Sequence, residues 1–285
     1  ESFMKKCLSK TQQEGKRHCI FRACALPLVL FTLLNISDYA DASNVQLPVA
    51  QLGTEIYTYS DGEKFLTLHG GDQPTVMLCQ DRSTGKRYLS AFLSEQTEQT
   101  VYFQSVFGGF TDDQNGWLAL QSAPAAGVVD TTLFLTDNGG DTWKEVSMPE
   151  NFPRHKINDA VFVDENTGYL CCSLFDRSPA PVFMTSDRGE HWTEIELPLQ
   201  QTANTYYQVS SIRDIDGMLV CTVQSRTDSE NGASYHTQYL GGSDFTHPES
   251  WSEIAQEEVP LLTEKIRDWE DGHLFRESTI EEHCE

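Results

Sequence analysis

The chain has 285 residues, 39% of them apolar and 11% aromatic, and a formal net charge of −23. That length and composition suit a folded protein with a large core and exclude an intrinsically disordered one. The charge speaks against nucleic acid and anionic lipid as partners and leaves a cationic ligand, a neutral glycan or simple solubility.

Residues 1–42 read as an export leader. Lys5, Lys6, Lys10, Lys16, Arg17 and Arg22 form a basic start, residues 23–34 an apolar run of twelve, and Ala40-Asp41-Ala42 a small-x-small cleavage pattern. Twelve apolar residues are few for a membrane span, and Pro27 interrupts them. The leader is expected to be a signal peptide or a short membrane anchor, which leaves residues 43–285 as an extracellular or cell-envelope domain. Beyond it, 14 basic side chains face 39 acidic ones. Cys79, Cys171, Cys172, Cys221 and Cys284 remain, an odd number without zinc-site spacing. Cys171 and Cys172 are strand neighbours that point to opposite faces, so one core is not expected to hold both.

After residue 43 the pattern is short alternating apolar runs bounded by Gly, Asp, Asn and Pro, which reads as all-β. A first unit runs through EIYTYSDGE, KFLTLHGG (64–71), TVMLCQD (75–81) and KRYLSAFLSE (86–95). The second has VYFQSVFGGF (101–110), WLALQSA (117–123), TTLFLT (131–136) and WKEVSMP (143–149). The third repeats it with INDAVFVD (157–164), YLCCSLF (169–175), PVFMTSD (181–187) and WTEIELP (192–198). A weaker fourth has YYQVSSIRDI (206–215), MLVCTVQSR (218–226), a polar loop, YHTQYLGG (235–242) and WSEIAQ (251–256). Residues 265–275 resemble 211–220 and are expected to begin a partial fifth unit. Residues 45–52 offer a strand that would close the ring, and the acidic surplus of residues 249–285 offers a frayed tail instead. Four-stranded units at this period are expected to form a β-propeller, with four recognisable blades and a partial fifth.

The second and third units share a motif: Thr136, Asn138, Gly140, Thr142 and Trp143 in one, Thr185, Asp187, Gly189 and Trp192 in the other. Asn138 and Asp187 can accept turn N–H groups, Gly140 and Gly189 allow positive φ, and the tryptophans can fold back over the hairpin. The motif resembles the Asp-box, or BNR repeat, S/T-x-D-x-G-x-T-W, with Asn138 for Asp in the first copy and His191 for Thr in the second. The resemblance implies a propeller of the superfamily that includes sialidases, sortilin-type receptor domains and photosystem assembly factors. It also implies that Thr136, Asn138, Gly140, Trp143, Thr185, Asp187, Gly189 and Trp192 are structural, on the face away from the usual ligand site.

No catalytic residues stand out. Sialidases of this resemblance carry F/Y-R-I-P, an arginine triad and a Tyr/Glu pair; Asn151-Phe152-Pro153-Arg154 has the wrong order. His69, His155, His236, His247 and His273 are scattered without metal-ligand spacing. The expectation is no metal, no cofactor, no nucleic acid, and membrane contact only through an uncleaved leader. If the motifs mark one face, the connections after the second and fourth strands lie on the other. Asp72, Arg154, His155, Asp176, Arg177, Arg226 and Asp228 are the candidate ligand-binding residues there. The reading is a non-enzymatic binding or scaffold module for a protein or glycan. Its alternative is a degenerate or unusual glycoside hydrolase, marked by paired carboxylates in a central pocket.

Overall fold

The computed structural model describes residues 54–60, 63–70, 75–93, 103–173, 179–199, 204–243, 247 and 250–277. All of them belong to the unit Ser43–Glu285. The expected leader (residues 1–42), residues 45–52, Cys284, Asp72, Asp176 and Arg177 lie outside the described residues.

Four sheets follow one another along the chain. Blade 1 comprises Thr54–Ser60 (β1), Lys64–Gly70 (β2), Val76–Asp81 (β3) and Arg87–Leu89 (β4), followed by the short strand Ala91–Leu93 (β5). Blade 2 comprises Ser105–Phe110 (β6), Gly116–Gln121 (β7), Thr131–Thr136 (β8) and Thr142–Val146 (β9). Blade 3 comprises Ile157–Phe162 (β10), Gly168–Cys172 (β11), Val182–Thr185 (β12) and Thr193–Ile195 (β13). Blade 4 comprises Thr205–Ile215 (β14), Met218–Ser229 (β15), Gly232–Gly242 (β16) and Ser252–Glu253 (β17). Within each blade consecutive strands pair antiparallel. The architecture is an all-β propeller.

The blades are held face to face. One core spans blades 2 to 4 through Leu133, Ile157, Leu170, Val209 and Ile212. A second joins blades 1 and 2 through Leu66, Met77, Leu118 and Phe134. A middle strand of such a stack is covered on both sides, so β7 and β11 are buried at every position. This corrects one expectation. Cys171 and Cys172 do point to opposite faces, but each face meets a neighbour, and both thiols are buried.

Three boundaries differ from the sequence pattern. KRYLSAFLSE is not one strand: β4 ends at Leu89, and β5 leaves blade 1 to pair in parallel with β9 of blade 2. The polar stretch after Arg226 is not a loop, because β15 and β16 stay paired residue by residue from Leu219↔Gly242 to Ser229↔Gly232. Backbone pairing needs no apolar alternation, which is why composition hid it.

The third correction is the partial fifth unit. Residues Val259–His273 form helix α1 instead. Val259, Leu262, Ile266, Trp269 and His273 recur at three- and four-residue spacing, so one helical face is apolar. Pro260 stands in the first turn, where its missing N–H costs nothing. Leu262 packs with Ile215 and Val220 of blade 4, with Ile266 and Trp269 beside them. No described helix is long and apolar enough to cross a membrane.

After α1 the chain turns back between the first strands of blades 1 and 2. The Phe275 N–H donates to the Gly108 carbonyl at 2.9 Å. Arg276–Glu277 (β18) pairs antiparallel with β1. Phe275 packs on Tyr59 and Phe110, with ring centroids 5.5 and 6.2 Å away. The crossing is close enough to demand glycine: a Cβ on Gly109 would lie 2.0 Å from the His273 carbonyl oxygen.

Candidate functional site

The two repeated motifs have the same geometry. The Gly140 N–H donates to Thr136 Oγ1 at 3.0 Å, and the Gly189 N–H to Thr185 Oγ1 at 2.9 Å. The Thr142 N–H reaches Asn138 Oδ1 at 3.0 Å, and the His191 N–H reaches Asp187 Oδ1 at 2.9 Å. Gly140 and Gly189 have φ of 87° and 84°, a conformation that costs other residues. These are the expected hairpin staples.

The staples also rivet neighbouring blades. Lys64 and Ser90 of blade 1 donate to the Gly139 and Gly140 carbonyls at 3.1 and 2.5 Å, and the Tyr88 hydroxyl donates to Asp141. Burial first, then that carboxylate, raises the Tyr88 pKa, so the phenol stays a donor. One blade on, Arg188 donates to the Thr136 carbonyl at 3.0 Å and Trp192 to the Ser147 carbonyl at 3.0 Å. A hollow beside Arg188, lined also by Thr111, Thr136 and Glu165, holds about 10 Å³, space for one water.

Asp187 is held down to about 2, first by the His191 N–H and then by its ring. His191 is raised above its ordinary value by its hydrogen bond to, and the charge of, Asp187. The lowered carboxylate contributes stability above pH 3.8 that is lost as pH falls through about 2. The raised imidazole contributes below its unfolded value, and that contribution is lost as pH rises through the folded one. Both groups are solvent-exposed, so the effect on stability is small. An NMR titration is expected to place His191 above a free histidine, and Asp187→Asn to return it toward normal.

Hydrogen bonds sort the connections onto two faces. On the staple face, the Gly139 N–H meets the Gln114 carbonyl and the Arg188 N–H the Asn166 carbonyl. On the other, the Val129 N–H meets the Arg154 carbonyl, Ser173 meets Lys156, Ala180 meets Tyr207, and Asp228 meets Asn204. Arg154 is engaged there by Asp130, with Nε and Nη2 at 2.8 and 2.5 Å from Oδ1. His155 is exposed beside it. Arg226 and Asp228 sit on blade 4, paired at 2.9 Å.

On that face the strands of blade 4 extend into an arm. Tyr206 pairs with Arg226, and Arg226 with Tyr235, so the three side chains line one face of the three-stranded sheet. Tyr206 and Tyr235 are 39% and 76% exposed. The next row on this face is Gln208, Gln224 and Thr237, with Gln208 donating to Gln224 at 3.3 Å. Asp228 opposite Ala233 ends it. Tyr206 and Tyr235 escaped the sequence reading because register, not spacing, brings them to Arg226.

The first strands of blades 3 and 4 carry a different cluster. Arg213 on β14 bonds Asp159 on β10 at 2.5 Å and Glu270 on α1 at 2.8 Å. Asp159 also accepts the Ile212 N–H at 3.2 Å, and the guanidinium lies over Trp269 at 5.4 Å. Burial acts to lower the Arg213 pKa, and the two carboxylates outweigh it and hold it above its usual value. Burial likewise raises the thiols of Cys79 (to about 12), Cys171 and Cys221, which leaves them protonated and poor nucleophiles.

No family model matches this chain, and no curated protein does. Solved structures are similar to it at low identity. YCF48 bound to D1 peptide is 21% identical, with a TM-score of 0.32 over 54% of this chain and 42% of that one. This chain therefore spans about two-fifths of that protein's length. An endo-arabinase from Bacteroides thetaiotaomicron is 10% identical, with a TM-score of 0.40 over 73% of this chain and 82% of that one. A GH32 beta-fructofuranosidase from Bombyx mori is 11% identical, with a TM-score of 0.38 over 72% and 49%. What these proteins bind or act on belongs to them.

The carboxylates Asp159 and Glu270 converge on one arginine, and Arg213 and Asp159 are buried. Asp187, Glu190 and His191 bring one ligand atom each within 4.8 Å of one another, but they are largely exposed and Asp187 is committed to its staple.

Proposed function

We propose that this chain is an exported, non-enzymatic β-propeller of the Asp-box type that binds a protein or glycan on the face away from the staples. The row Tyr206–Arg226–Tyr235 carries the reading. It exposes two aromatic rings around a guanidinium on a paired sheet, whereas the other large aromatics among the described residues are buried or half-buried. Tyrosine and arginine are the residues that supply most binding energy at such surfaces. Flanking amides from Gln208 and Gln224 add directional hydrogen bonds. The glycoside-hydrolase alternative requires an open carboxylate pair. Asp159 and Glu270 are instead bridged by Arg213 under α1.

The test is a glycan array together with a displayed peptide library, with hydrolysis screened on the same sugars. Capture is expected, and Tyr206→Ala and Tyr235→Ala are each expected to cost about 2 kcal/mol or more of it. Sugar hydrolysis that disappears in Asp159→Asn would overturn this reading in favour of the enzyme.

A further inference from the structure

We infer that the free edge of β16 takes an extended, net-basic peptide of another protein as an added strand. The inference rests on the binding reading above and names its ligand. The Ile254 N–H donates to the Tyr239 carbonyl, so Tyr239 turns its backbone groups outward from β15. Backbone direction alternates along a strand, so Thr237, Tyr235 and Ala233 face outward as well. The pairing of β16 with β17 covers Leu240 and Gly241, and the Ile254 bond extends it to Tyr239 and no further among the described residues. The Thr237 carbonyl accepts from His236 Nδ1 at 2.8 Å. Among the described residues, the N–H and C=O of Ala233 and Tyr235 and the N–H of Thr237 have no backbone partner on this side.

Such an edge is ordinarily protected by charge, proline, a bulge, shortness or a cover. The other blades follow that rule: β4 and β13 have three residues each, and β9 is covered by β5. The stretch 232–238, GASYHTQ, has no charged residue and no proline, and its register with β15 has no bulge. Among the described residues it is a seven-residue stretch whose outward backbone groups, the Thr237 carbonyl apart, have no backbone partner, on the face proposed above for binding.

Charge selects the occupant. A second copy would bring another net charge of −23 to the edge, and Asp228 and Glu230 flank the tip of the arm. Like charges disfavour that dimer and favour a basic strand. An incoming strand places alternate side chains on the Tyr235 face, where a lysine or arginine can lie over the exposed ring. The added backbone bonds supply affinity and the alternate cations supply selectivity.

The probe is a display library of nine-residue peptides with Lys or Arg fixed at every second position. An enriched peptide is expected to bind the full chain and to lose at least about tenfold in affinity with Tyr235→Pro, which deletes the central edge N–H. N-methylation of alternate peptide residues is expected to cause a similar loss on the wild-type chain, and it carries the test if Tyr235→Pro does not fold. Three results would overturn the inference: no enriched peptide, peptide binding indifferent to both changes, or a concentration-dependent dimer that Tyr235→Pro abolishes. Indifference to Tyr235→Pro and N-methylation, with loss in Tyr206→Ala and Tyr235→Ala, would refute strand addition while leaving the binding surface intact.

Discussion

Arg213→Ala is expected to lower stability by about 3–5 kcal/mol in chemical denaturation, because it leaves Asp159 charged and buried without its partner. The same change removes the bond to Glu270 and the guanidinium over Trp269, both on α1. Helix α1 is therefore expected to loosen first, seen as faster amide exchange along Val259–His273 than in blades 2 and 3. Glu270→Ala should behave differently. Its carboxylate is 37% exposed, so water replaces much of what is lost, and the cost is expected to be about 1 kcal/mol or less. Equal losses for the two substitutions would contradict the assignment of Asp159 as the partner that Arg213 neutralises.

Trp143→Ala is expected to cost about 3–5 kcal/mol, as for other fully buried large aromatics. The ring is stacked on Phe92 of β5 at 6.4 Å and meets the edge of Phe110 at 5.8 Å. Its loss opens a cavity where the staple of blade 2, the strand donated by blade 1 and the core between them meet. Trp192 occupies the same motif position but is only partly buried, so Trp192→Ala is expected to cost clearly less. A domain of ordinary stability has about 5–15 kcal/mol in total, so the first variant should melt many degrees lower and the second only slightly. Similar losses would mean that the staple hairpins, rather than the seam between blades 1 and 2, set the stability.

Much of this fold is legible in the chain because its logic is local. Thr136, Asn138, Gly140 and Trp143 act within one hairpin, and so do Thr185, Asp187, Gly189 and Trp192. Side-chain caps, positive φ and strand alternation need no distant partner. Antiparallel connections alternate between the two ends of a blade, and Arg226 and Asp228 lie on the arm of blade 4. The candidate site was legible only to that extent. Arg154 is held by Asp130, and Asp72, Asp176 and Arg177 lie outside the described residues.

The parts that misled are those where a local resemblance competed with packing. Residues 265–275 look like the start of blade 4, yet residues 265–273 lie in α1, whose apolar face packs on Ile215 and Val220. The tail beyond it closes onto β1 and β6 because Gly109 lets the His273 backbone approach. The sequence by itself determined the strand units, their repeat and the staple chemistry, because each rests on contacts a few residues apart. Only the tertiary structure decided that Tyr206, Arg226 and Tyr235 share a row, that no described strand pairs with the outer edge of β16 before Tyr239, and that Arg213 joins two blades to a helix. Those depend on which strands lie side by side, and that is settled by burial summed over the whole molecule.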